Sequence, residues 1–296
     1  MKGIILSGGA GSRLHPMTKV ITKQLLPIYD KPMIYYPMSV LMMCHINEIL
    51  LITTREDQPH FQKLLGDGSE IGLKLSYIIQ DAPNGIAQAY TLAEEFLKGD
   101  DSMLVLGDNL FYGRFSGFRE AIRRQKAREN GIHAQVFAYA VNDPERYGVV
   151  EFDKSTGKVQ SIEEKPANPK SNYAIPGVYL LDGSAPERVK NQKPSARGEL
   201  EITDLIQTYL DSDSLGVEVI NRGIAWLDTG TPQSLLEASS FVATIEQRQG
   251  LKIACLEEIA LRAGFIDIKK FHEIIENSKN NNYTEYLKLI AKEHEA

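Results

Sequence analysis

The chain has few cysteines, no long apolar run and a shortage of basic charge, and each shortage excludes a class of protein. Cys44 and Cys255 are the two cysteines among 296 residues, so neither a disulfide framework nor a cysteine-based zinc site is possible. No stretch approaches the ~20 apolar residues of a membrane span. The apolar run at the N-terminus is too short for the core of a signal peptide. We therefore expect a cytoplasmic protein that does not insert into a membrane.

Basic side chains are outnumbered by acidic ones, 33 against 39, which gives a formal net charge of −6. Non-specific nucleic-acid binding needs a basic surface that neutralises phosphates, so nucleic acid is not an expected partner. A small phosphorylated ligand stays compatible with this balance, because a few basic residues in one cleft act locally. The 43% of hydrophobic residues supports a packed globular protein rather than general disorder.

The first half of the chain alternates short apolar runs with helical patterns. The predicted strands are Gly3–Ser7, Glu48–Thr54, Leu73–Gln80, Ser102–Asp108 and Ala134–Val141. The predicted helices are Pro32–Cys44, Gln58–Leu65, Ile86–Lys98 and Phe115–Asn130. This alternation indicates βαβ units, so we predict an α/β fold with a Rossmann-like, mostly parallel central sheet and flanking helices. Ligands gather where such strands end, which directs attention to the loops after Leu6 and Leu106.

The second half predicts a small β insertion followed by helices. Gly148–Asp153 and Val159–Glu164 flank a short polar turn, which is typical of a hairpin. A further strand is predicted at Tyr173–Leu181 and a helix at Glu199–Leu210. Threonine followed by proline at 231 and 232 begins a helix that should end at Gly250. Residues 251–296 predict two or three short helices, a helical C-terminal extension.

The sharpest local signal is the run Gly8-Gly9-Ala10-Gly11-Ser12-Arg13-Leu14, directly after the first strand. Glycines let the backbone approach a phosphate, and successive N–H groups then cradle the anion. Arg13 adds a permanent cation with several donors. The run lacks the Gly-Lys-Ser/Thr of a P-loop, and Leu14 stands where a dinucleotide fingerprint needs glycine. Without further motifs, a tight turn with an incidental arginine stays open as an interpretation.

The motifs taken together resemble the glucose-1-phosphate thymidylyltransferase family of sugar nucleotidyltransferases. The resemblance begins with Gly8–Arg13 and Lys23–Pro37 and runs nearly the full length. Its later motifs are Leu106–Asn109, Arg146–Val149, Glu163–Pro166, Ser195–Thr203 and Trp226–Gly230. The resemblance implies transfer of a thymidylyl group from dTTP to glucose 1-phosphate with Mg²⁺ as cofactor. The products would be dTDP-glucose and pyrophosphate, the first step of dTDP-rhamnose (deoxysugar) biosynthesis.

The resemblance also implies which residues carry the reaction. Arg13 and Lys23 would act on the phosphates of dTTP, and Lys165 on the sugar phosphate. Asp108 and Asp228 would bind Mg²⁺, as hard carboxylate oxygens suit that ion. They lie 120 positions apart, so their closeness is implied by the resemblance alone.

Most of the implied substrate contacts fall into a nucleotide part and a sugar part. Gln80 and the backbone near Gly85 would read the thymine, Glu164 would bind the sugar hydroxyls, and the hexose pocket would be formed around Tyr147. Besides the three cations and Asp108, the implied substrate-binding residues are Leu6, Gly8, Gly9, Gly11, Ser12, Gln24, Gln80, Pro83, Gly85, Asn109, Tyr147, Gly148, Glu164, Ile175 and Trp226.

Assembly and regulation are implied by the same resemblance. Residues 1–240 would form the catalytic core, with the sugar-binding part at about 110–230, and residues 241–296 an extension for assembly and regulation. Members of the family are homotetramers inhibited by dTDP-rhamnose at a second site. The residues that match that site are Tyr112, Gly113, Glu258 and Arg262.

Three alternatives stay open on the sequence. UTP or CTP could replace dTTP, because the methyl group that separates thymine from uracil contributes only ~1–3 kcal/mol in an apolar pocket. A nicotinamide-dependent oxidoreductase begins with the same strand, glycine loop and helix, although its third glycine is missing here. A non-catalytic nucleotide sensor should have lost one of five charged residues, all of which are present: Arg13, Lys23, Asp108, Lys165 and Asp228.

Overall fold

The computed structural model describes residues 1–9 and 11–296, so Ala10 of the glycine-rich loop lies outside it. The strands are β1 (Lys2–Leu6), β2 (Pro27–Ile28), β3 (Lys31–Pro32), β4 (Glu48–Thr53), β5 (Lys74–Ile79), β6 (Ser102–Leu106), β7 (Asn109–Tyr112), β8 (Ala134–Ala140), β9 (Gly148–Phe152), β10 (Val159–Glu164), β11 (Tyr173–Ala174), β12 (Val178–Leu181), β13 (Leu215–Val219) and β14 (Ala225–Asp228). The helices are α1 (Tyr35–Met43), α2 (Gln58–Leu65), α3 (Gln88–Leu92), α4 (Glu94–Leu97), α5 (Ser116–Lys126), α6 (Ala185–Lys190), α7 (Ile202–Asp211), α8 (Pro232–Gln249), α9 (Leu256–Arg262), α10 (Ile268–Asn277) and α11 (Asn282–Glu295).

One ten-stranded sheet organises the molecule, in the order β10-β9-β11-β8-β12-β6-β1-β4-β5 with β13 paired to β8. Strands β6, β1, β4 and β5 pair in parallel. Followed across the sheet, the pairings set β8, β9 and β13 in that same direction and β10, β11 and β12 against it. The prediction of a mostly parallel sheet with flanking helices is confirmed. The parallel strands end along one edge, where the loops after β1 and β6 emerge side by side.

Each face of the sheet carries its own hydrophobic core. In β1, Ile5 packs on the face covered by α1 and the C-terminal helices, while its neighbour Ile4 packs on the face covered by α3 and α7. Both side chains are fully buried. A strand that is buried on both faces reads as a continuous apolar run rather than an alternating one. For this reason short apolar runs predicted β1, β4 and β6, whose residues are mostly buried.

Several predicted elements differ in extent from the structure. The predicted helix Ile86–Lys98 is two short helices, α3 and α4, and the helix predicted from Pro32 begins at Tyr35. The predicted helix Phe115–Asn130 ends at Lys126, because the backbone turns left-handed at Arg128, with φ 51°.

The predicted strand Tyr173–Leu181 is interrupted between β11 and β12. Gly177 has φ 53°, a conformation that favours glycine, and its N–H donates to the Ile175 carbonyl at 2.9 Å. The interruption turns the chain at the point where Ile175 meets the hairpin. The hairpin itself is confirmed, since β9 and β10 pair antiparallel.

The C-terminal region agrees with its prediction. Helix α8 begins with a capping box between Thr231 and Ser234 and ends at Gly250, which has φ 70°. Three further helices, α9 to α11, follow it. Residue 240 lies inside α8, so this helix belongs both to the predicted core and to the predicted extension. Among the described residues, no helix combines the length and the apolar character that crossing a membrane requires.

Candidate active site

A two-stranded ribbon that the sequence did not predict brings two distant carboxylates together. Strands β7 and β14 pair antiparallel, with Asp228 opposite Asn109. Asp108 immediately precedes Asn109, and the Thr229 hydroxyl donates to the Asp108 backbone carbonyl at 2.7 Å. The carboxylates of Asp108 and Asp228 are therefore neighbours at the edge where β6 ends.

The two carboxylates are embedded among cations. Burial raises the pKa of Asp228 above its ordinary value, and the charge of Asp108 raises it further, while Arg13 and Lys23 act in the opposite direction. The Lys23 ammonium contacts the Asp108 carboxylate directly. The Arg13 guanidinium lies beside Gly230, where a Cβ would come within 2.7 Å of Arg13 Nη2. The site thus holds two partly buried carboxylates, and the pKa of Asp228 rises because burial and a like charge both disfavour its ionised form.

The pair fits a hard divalent cation in the chemistry of its donors. The described residues bring no third histidine, cysteine, aspartate or glutamate into a cluster with Asp108 and Asp228. Mg²⁺ commonly binds through one or two carboxylates and completes its shell with water and substrate phosphate oxygens. The raised pKa of Asp228 also fits a cation at this place, since a cation between the two acids would remove their repulsion.

The glycine-rich loop lies beside this pair, between β1 and a short turn at Ser12–Leu14. Gly9 has φ 114° and Gly11 has φ 55°, so both positions favour glycine. A Cβ on Gly8 would lie 2.5 Å from Oε1 of Gln80. Glycine at position 8 therefore lets the loop pass directly over the Gln80 amide.

A narrow cleft opens over that amide. It has a volume of about 150 Å³ and is lined by Leu6, Gly8, Gly9, Gln80, Pro83, Gly85, Ile86 and Glu199. The Gln80 side chain donates to Gln88 Oε1 at 2.7 Å, which fixes its orientation. Gly85 has φ 102°, and a Cβ there would lie 2.3 Å from the Leu200 carbonyl oxygen. The cleft therefore has a rigid wall and an oriented amide, which suits a flat heterocyclic base.

A second pocket forms where β9, β10 and the turn before β12 meet. Glu164 lies opposite Gly148 in the hairpin, and the Ile175 N–H donates to the Gly148 carbonyl at 2.8 Å. A Cβ on Gly148 would lie 3.4 Å from Glu164 Oε2 and 3.3 Å from Thr203. Glycine therefore keeps the space in front of the carboxylate open. Burial raises the pKa of Glu164, although Lys165 and Arg197 act to lower it.

Aromatic rings close this pocket on the side of the carboxylate pair. The ring centroids of Tyr147 and Trp226 are 5.0 Å apart, and the Trp226 indole N–H donates to Asn109 Oδ1. Lys165 has φ 43°, and its backbone N–H donates to the Tyr147 carbonyl at 3.0 Å. Its half-exposed ammonium lies 3.5 Å from Glu164 Oε1. The structure thus brings the predicted sugar residues together next to the predicted metal residues.

Two arginines near the site, Arg146 and Arg197, were not among the predicted site residues. One predicted substrate-binding residue, Gln24, is buried and bonded within the protein. Arg197 Nη2 lies 3.6 Å from Glu164 Oε1, and Arg146 Nη2 lies 3.7 Å from Asp228 Oδ2. Both belong to motifs that carried the resemblance, and this position was the signal available. Gln24 is 1% exposed and accepts a hydrogen bond from Thr22 at 2.8 Å, so its carbonyl is already engaged.

A separate cavity of about 440 Å³ contains all four residues predicted for a second site, namely Tyr112, Gly113, Glu258 and Arg262. It lies between β7, the end of α8 and α9. The Tyr112 hydroxyl donates to Gln249 at 3.1 Å, and Arg262 donates to Glu258 at 2.7 Å. The cavity combines aromatic, apolar and charged groups, as a site for a sizeable polar ligand requires.

Phosphate-suited glycines, a base-sized cleft and a carboxylate pair at the ends of parallel strands define a nucleotide-dependent transferase. The family model described as nucleotidyl transferase matches residues 2–245. A glucose-1-phosphate thymidylyltransferase of Xanthomonas campestris pv. campestris is 54% identical over 291 residues, which covers 98% of this chain and 97% of the relative. The enzyme of that name from Neisseria meningitidis is 53% identical, covering 99% of this chain and all of the relative.

The solved structures agree with these relatives. A Bacillus anthracis structure described as a glucose-1-phosphate thymidylyltransferase superposes with a TM-score of 0.74 at 42% identity, covering 81% of this chain and 94% of that one. A UDP-glucose pyrophosphorylase superposes with a TM-score of 0.72 at 23% identity, covering 83% and 99%, and shares the fold. The chain belongs to the glucose-1-phosphate thymidylyltransferase family.

Proposed function

We propose that this protein transfers the thymidylyl group of dTTP to glucose 1-phosphate, giving dTDP-glucose and pyrophosphate with the help of Mg²⁺. The observation that carries the proposal is the Asp108–Asp228 pair, which lies between a base-sized cleft and the group of residues around Glu164 and Tyr147. The relatives named for this reaction cover nearly the whole chain. The product would enter dTDP-rhamnose biosynthesis.

Nucleotide binding is proposed to use the glycine-rich loop and the cleft behind it. The thymine would lie against Pro83 and Gly85, with its edge facing the oriented amide of Gln80. The backbone N–H groups of Gly8, Gly9, Gly11 and Ser12 would face the phosphates, and Arg13 would neutralise them. Gln24 would contribute as a buried support of this loop, because its side chain is engaged with Thr22.

Sugar binding is proposed to use the pocket in front of Gly148. The Glu164 carboxylate would accept hydrogen bonds from hexose hydroxyls, and the rings of Tyr147 and Trp226 would pack on the sugar. Ile175 would close the apolar side, and Asn109 would fix the indole. Lys165 would then meet the phosphate attached to the sugar.

The chemical step needs no nucleophile from the protein. A phosphate oxygen of glucose 1-phosphate attacks the α-phosphorus of dTTP, and a new P–O bond forms. The bond from that phosphorus to the bridging oxygen breaks, and pyrophosphate leaves with the electron pair. No general base is required, because a phosphate monoester is largely ionised at neutral pH.

The protein contributes alignment and positive charge. Holding both reactants in line supplies ~7–11 kcal/mol of barrier reduction in favourable cases. Lys165 neutralises the attacking phosphate, while Arg13 and Lys23 stabilise the charge that develops on pyrophosphate. Asp108 and Asp228 would hold Mg²⁺, which when bound neutralises triphosphate oxygens.

The product identifies the reaction. With dTTP, glucose 1-phosphate and Mg²⁺, phosphorus NMR should show the nucleoside diphosphate sugar dTDP-glucose and pyrophosphate in equal amounts. Inorganic phosphate in place of pyrophosphate would contradict the proposal. UTP is the competing nucleotide, and we expect weaker use of it, since one methyl group separates the bases.

We further propose that the cavity around Tyr112, Gly113, Glu258 and Arg262 binds dTDP-rhamnose as a feedback inhibitor, and that the protein is a homotetramer. The cavity lies beside α9, within the proposed extension, residues 241–296. This position supports a role of the extension in regulation and assembly, with residues 1–240 as the catalytic core. Arg262→Ala should weaken inhibition by added dTDP-rhamnose and leave the uninhibited rate unchanged. A monomer by light scattering at micromolar concentration would contradict the assembly.

A further inference from the structure

Arg146 lies where the carboxylate pair and the sugar pocket meet, and the mechanism above assigns it no role. It ends a short turn at Pro144–Arg146, directly before Tyr147 and strand β9. Its Nη1 donates to Asp143 Oδ2 at 2.6 Å, and its Nη2 lies 3.7 Å from Asp228 Oδ2. The guanidinium carbon lies 5.4 Å from the centre of the Tyr147 ring. One side chain therefore contacts an acid of the candidate metal pair and a wall of the sugar pocket.

Both carboxylates of the pair lie among cations, and Arg13 and Lys23 both act on Asp228. Lys23 contacts Asp108, and Arg146 lies next to Oδ2 of Asp228. The other oxygen of Asp228 accepts the Gly230 N–H at 3.0 Å. An arginine stays charged at every accessible pH, so Arg146 offers Asp228 a permanent counter-charge.

The Arg146–Asp228 contact is weak enough for a competing cation to replace it. At 3.7 Å it is longer than a direct hydrogen bond. Arg146 is 45% exposed, whereas Asp228 is 20% exposed, so the arginine can move while the acid is fixed. Asp143 and the Tyr147 ring remain as partners of the guanidinium when it moves away from Asp228. A divalent cation and Arg146 would compete for the same oxygen.

We propose that Arg146 is a positioning residue of the transfer reaction, which holds Asp228 in the free enzyme and yields that carboxylate to the divalent cation. This inference rests on the proposed function for the identity of the reaction. Arg146 also packs on Tyr147, and Tyr147 packs on Trp226. When a cation displaces Arg146 from Asp228, the movement of the arginine is therefore transmitted to the wall of the sugar pocket.

Cation binding without substrates tests the competition directly. In the full-length protein, free Mn²⁺ measured by electron paramagnetic resonance gives the dissociation constant. Arg146→Ala should bind Mn²⁺ about twofold to fivefold more tightly than wild type, the range that partly exposed ion pairs support. Arg146→Lys keeps the charge and should stay close to wild type. Arg146→Gln keeps the length without the charge, so it should follow Arg146→Ala and serves if that variant folds poorly.

The link to the sugar pocket has its own optical signal. Trp226 is the one tryptophan in the sequence, so fluorescence excited at the red edge of tryptophan absorption, where tyrosine does not absorb, reports on this wall. Mg²⁺ by itself should change the emission of wild type and change it much less in Arg146→Gln. The KM for glucose 1-phosphate should rise more in this variant than kcat falls, because the wall is loosened while the phosphate cations remain.

Arg123→Ala is the matched control. Arg123 pairs with Glu120 three residues earlier, as Arg146 pairs with Asp143, but on the outer surface of α5. It should leave Mn²⁺ binding and fluorescence unchanged. Unchanged or weaker Mn²⁺ binding in both Arg146→Ala and Arg146→Gln would overturn the inference. Mn²⁺ binding and fluorescence can be measured without turnover. Tighter Mn²⁺ binding in a protein that fails to form dTDP-glucose would therefore contradict the proposed function and leave this competition standing.

Discussion

The pKa values of carboxylates shift in opposite directions in the candidate active site and around Asp182, which is hydrogen-bonded to His133, Ser184 and Tyr209. In the site, Asp228 and Glu164 have their pKa raised, in both cases first by burial. Asp182 follows β12 beside the start of β6, at the other end of that strand from Asp108. Burial acts to raise its pKa too, but hydrogen bonds from Ser184, His133 and Tyr209 outweigh it and hold the pKa below its ordinary value.

The two regions differ in how fully the protein itself supplies hydrogen-bond donors to its carboxylates. Around Asp182 both oxygens have donors, including the Tyr209 hydroxyl at 2.9 Å and the His133 ring at 2.8 Å. Such a network is complete without a ligand and stabilises the fold. In the candidate site Asp228 accepts the Gly230 N–H, and Lys165 and Arg197 lie 3.5 Å and 3.6 Å from Glu164. A cation and sugar hydroxyls can therefore add shorter contacts to these acids. Stability and function thus occupy opposite ends of the same strand.

The largest effect should come from removing a cation of the site. Lys23→Ala should lower kcat about 100- to 1000-fold, because one preorganised group that stabilises developing charge is worth roughly 3–4 kcal/mol. Lys158→Ala, which removes a 68% exposed lysine in a surface pair, is the control and should be neutral. Steady-state pyrophosphate release measures both, and a loss below threefold in Lys23→Ala would remove Lys23 from the mechanism.

Removing the sugar-phosphate cation should have a smaller and more selective effect. Lys165→Ala should raise the KM for glucose 1-phosphate about 10- to 100-fold, as expected for a charged hydrogen bond of about 1.5–3 kcal/mol. The KM for dTTP should change little, because Lys165 lies in the sugar pocket beside Glu164. Kinetics with each substrate varied in turn provide the check, and equal changes in both KM values would contradict the assignment.

On the other side of the comparison, Asp182→Ala should cost stability without touching the chemistry. It leaves the buried donors of Tyr209 and Ser184 without an acceptor, at about 1–3 kcal/mol. Since the folded pKa is lowered, this stability is present above the unfolded pKa and is lost as pH falls through the folded pKa. Urea unfolding from pH 7 to pH 3 should therefore show a gap between wild type and variant that narrows on acidification. A gap that widens would be inconsistent with the pKa direction.

The smallest effect should have the opposite sign. Glu164→Gln removes a buried charge, so it should raise the free energy of unfolding at pH 7 by about 0.5–1 kcal/mol while lowering activity. Because the folded pKa is raised, the cost of the charge is present at neutral pH and disappears as pH falls below the unfolded pKa of about 4.3. The same urea series measures it. A destabilised variant at pH 7 would show that Glu164 is satisfied within the protein.

The sequence predicted β1, β4 and β6 of the parallel half of the sheet because these strands are mostly buried on both faces, as Ile4 and Ile5 illustrate, whereas the edge strand β5 is only partly buried. It also placed Asp108 at a strand end. It did not predict the β7–β14 ribbon, whose strands have four residues each and are separated by more than a hundred positions. No local pattern encodes such a pairing, so the closeness of Asp228 to Asp108 rested on the family resemblance.

Arg146 and Arg197 show a second limit. An exposed arginine in a charged stretch has the pattern of a solvated surface residue. Both arginines lie in motifs that carry the family resemblance, but their contacts with Asp228 and Glu164 are visible only in the structure. The left-handed backbone at Lys165 is likewise invisible in a sequence, because lysine is not a residue that predicts it.

The most direct test of the account is pyrophosphate release from purified protein with glucose 1-phosphate, comparing dTTP, UTP, CTP and ATP with and without Mg²⁺. We predict strong release with dTTP, weaker release with UTP and none when Mg²⁺ is left out. Release that is independent of Mg²⁺, or no release with any of the nucleotides, would contradict it.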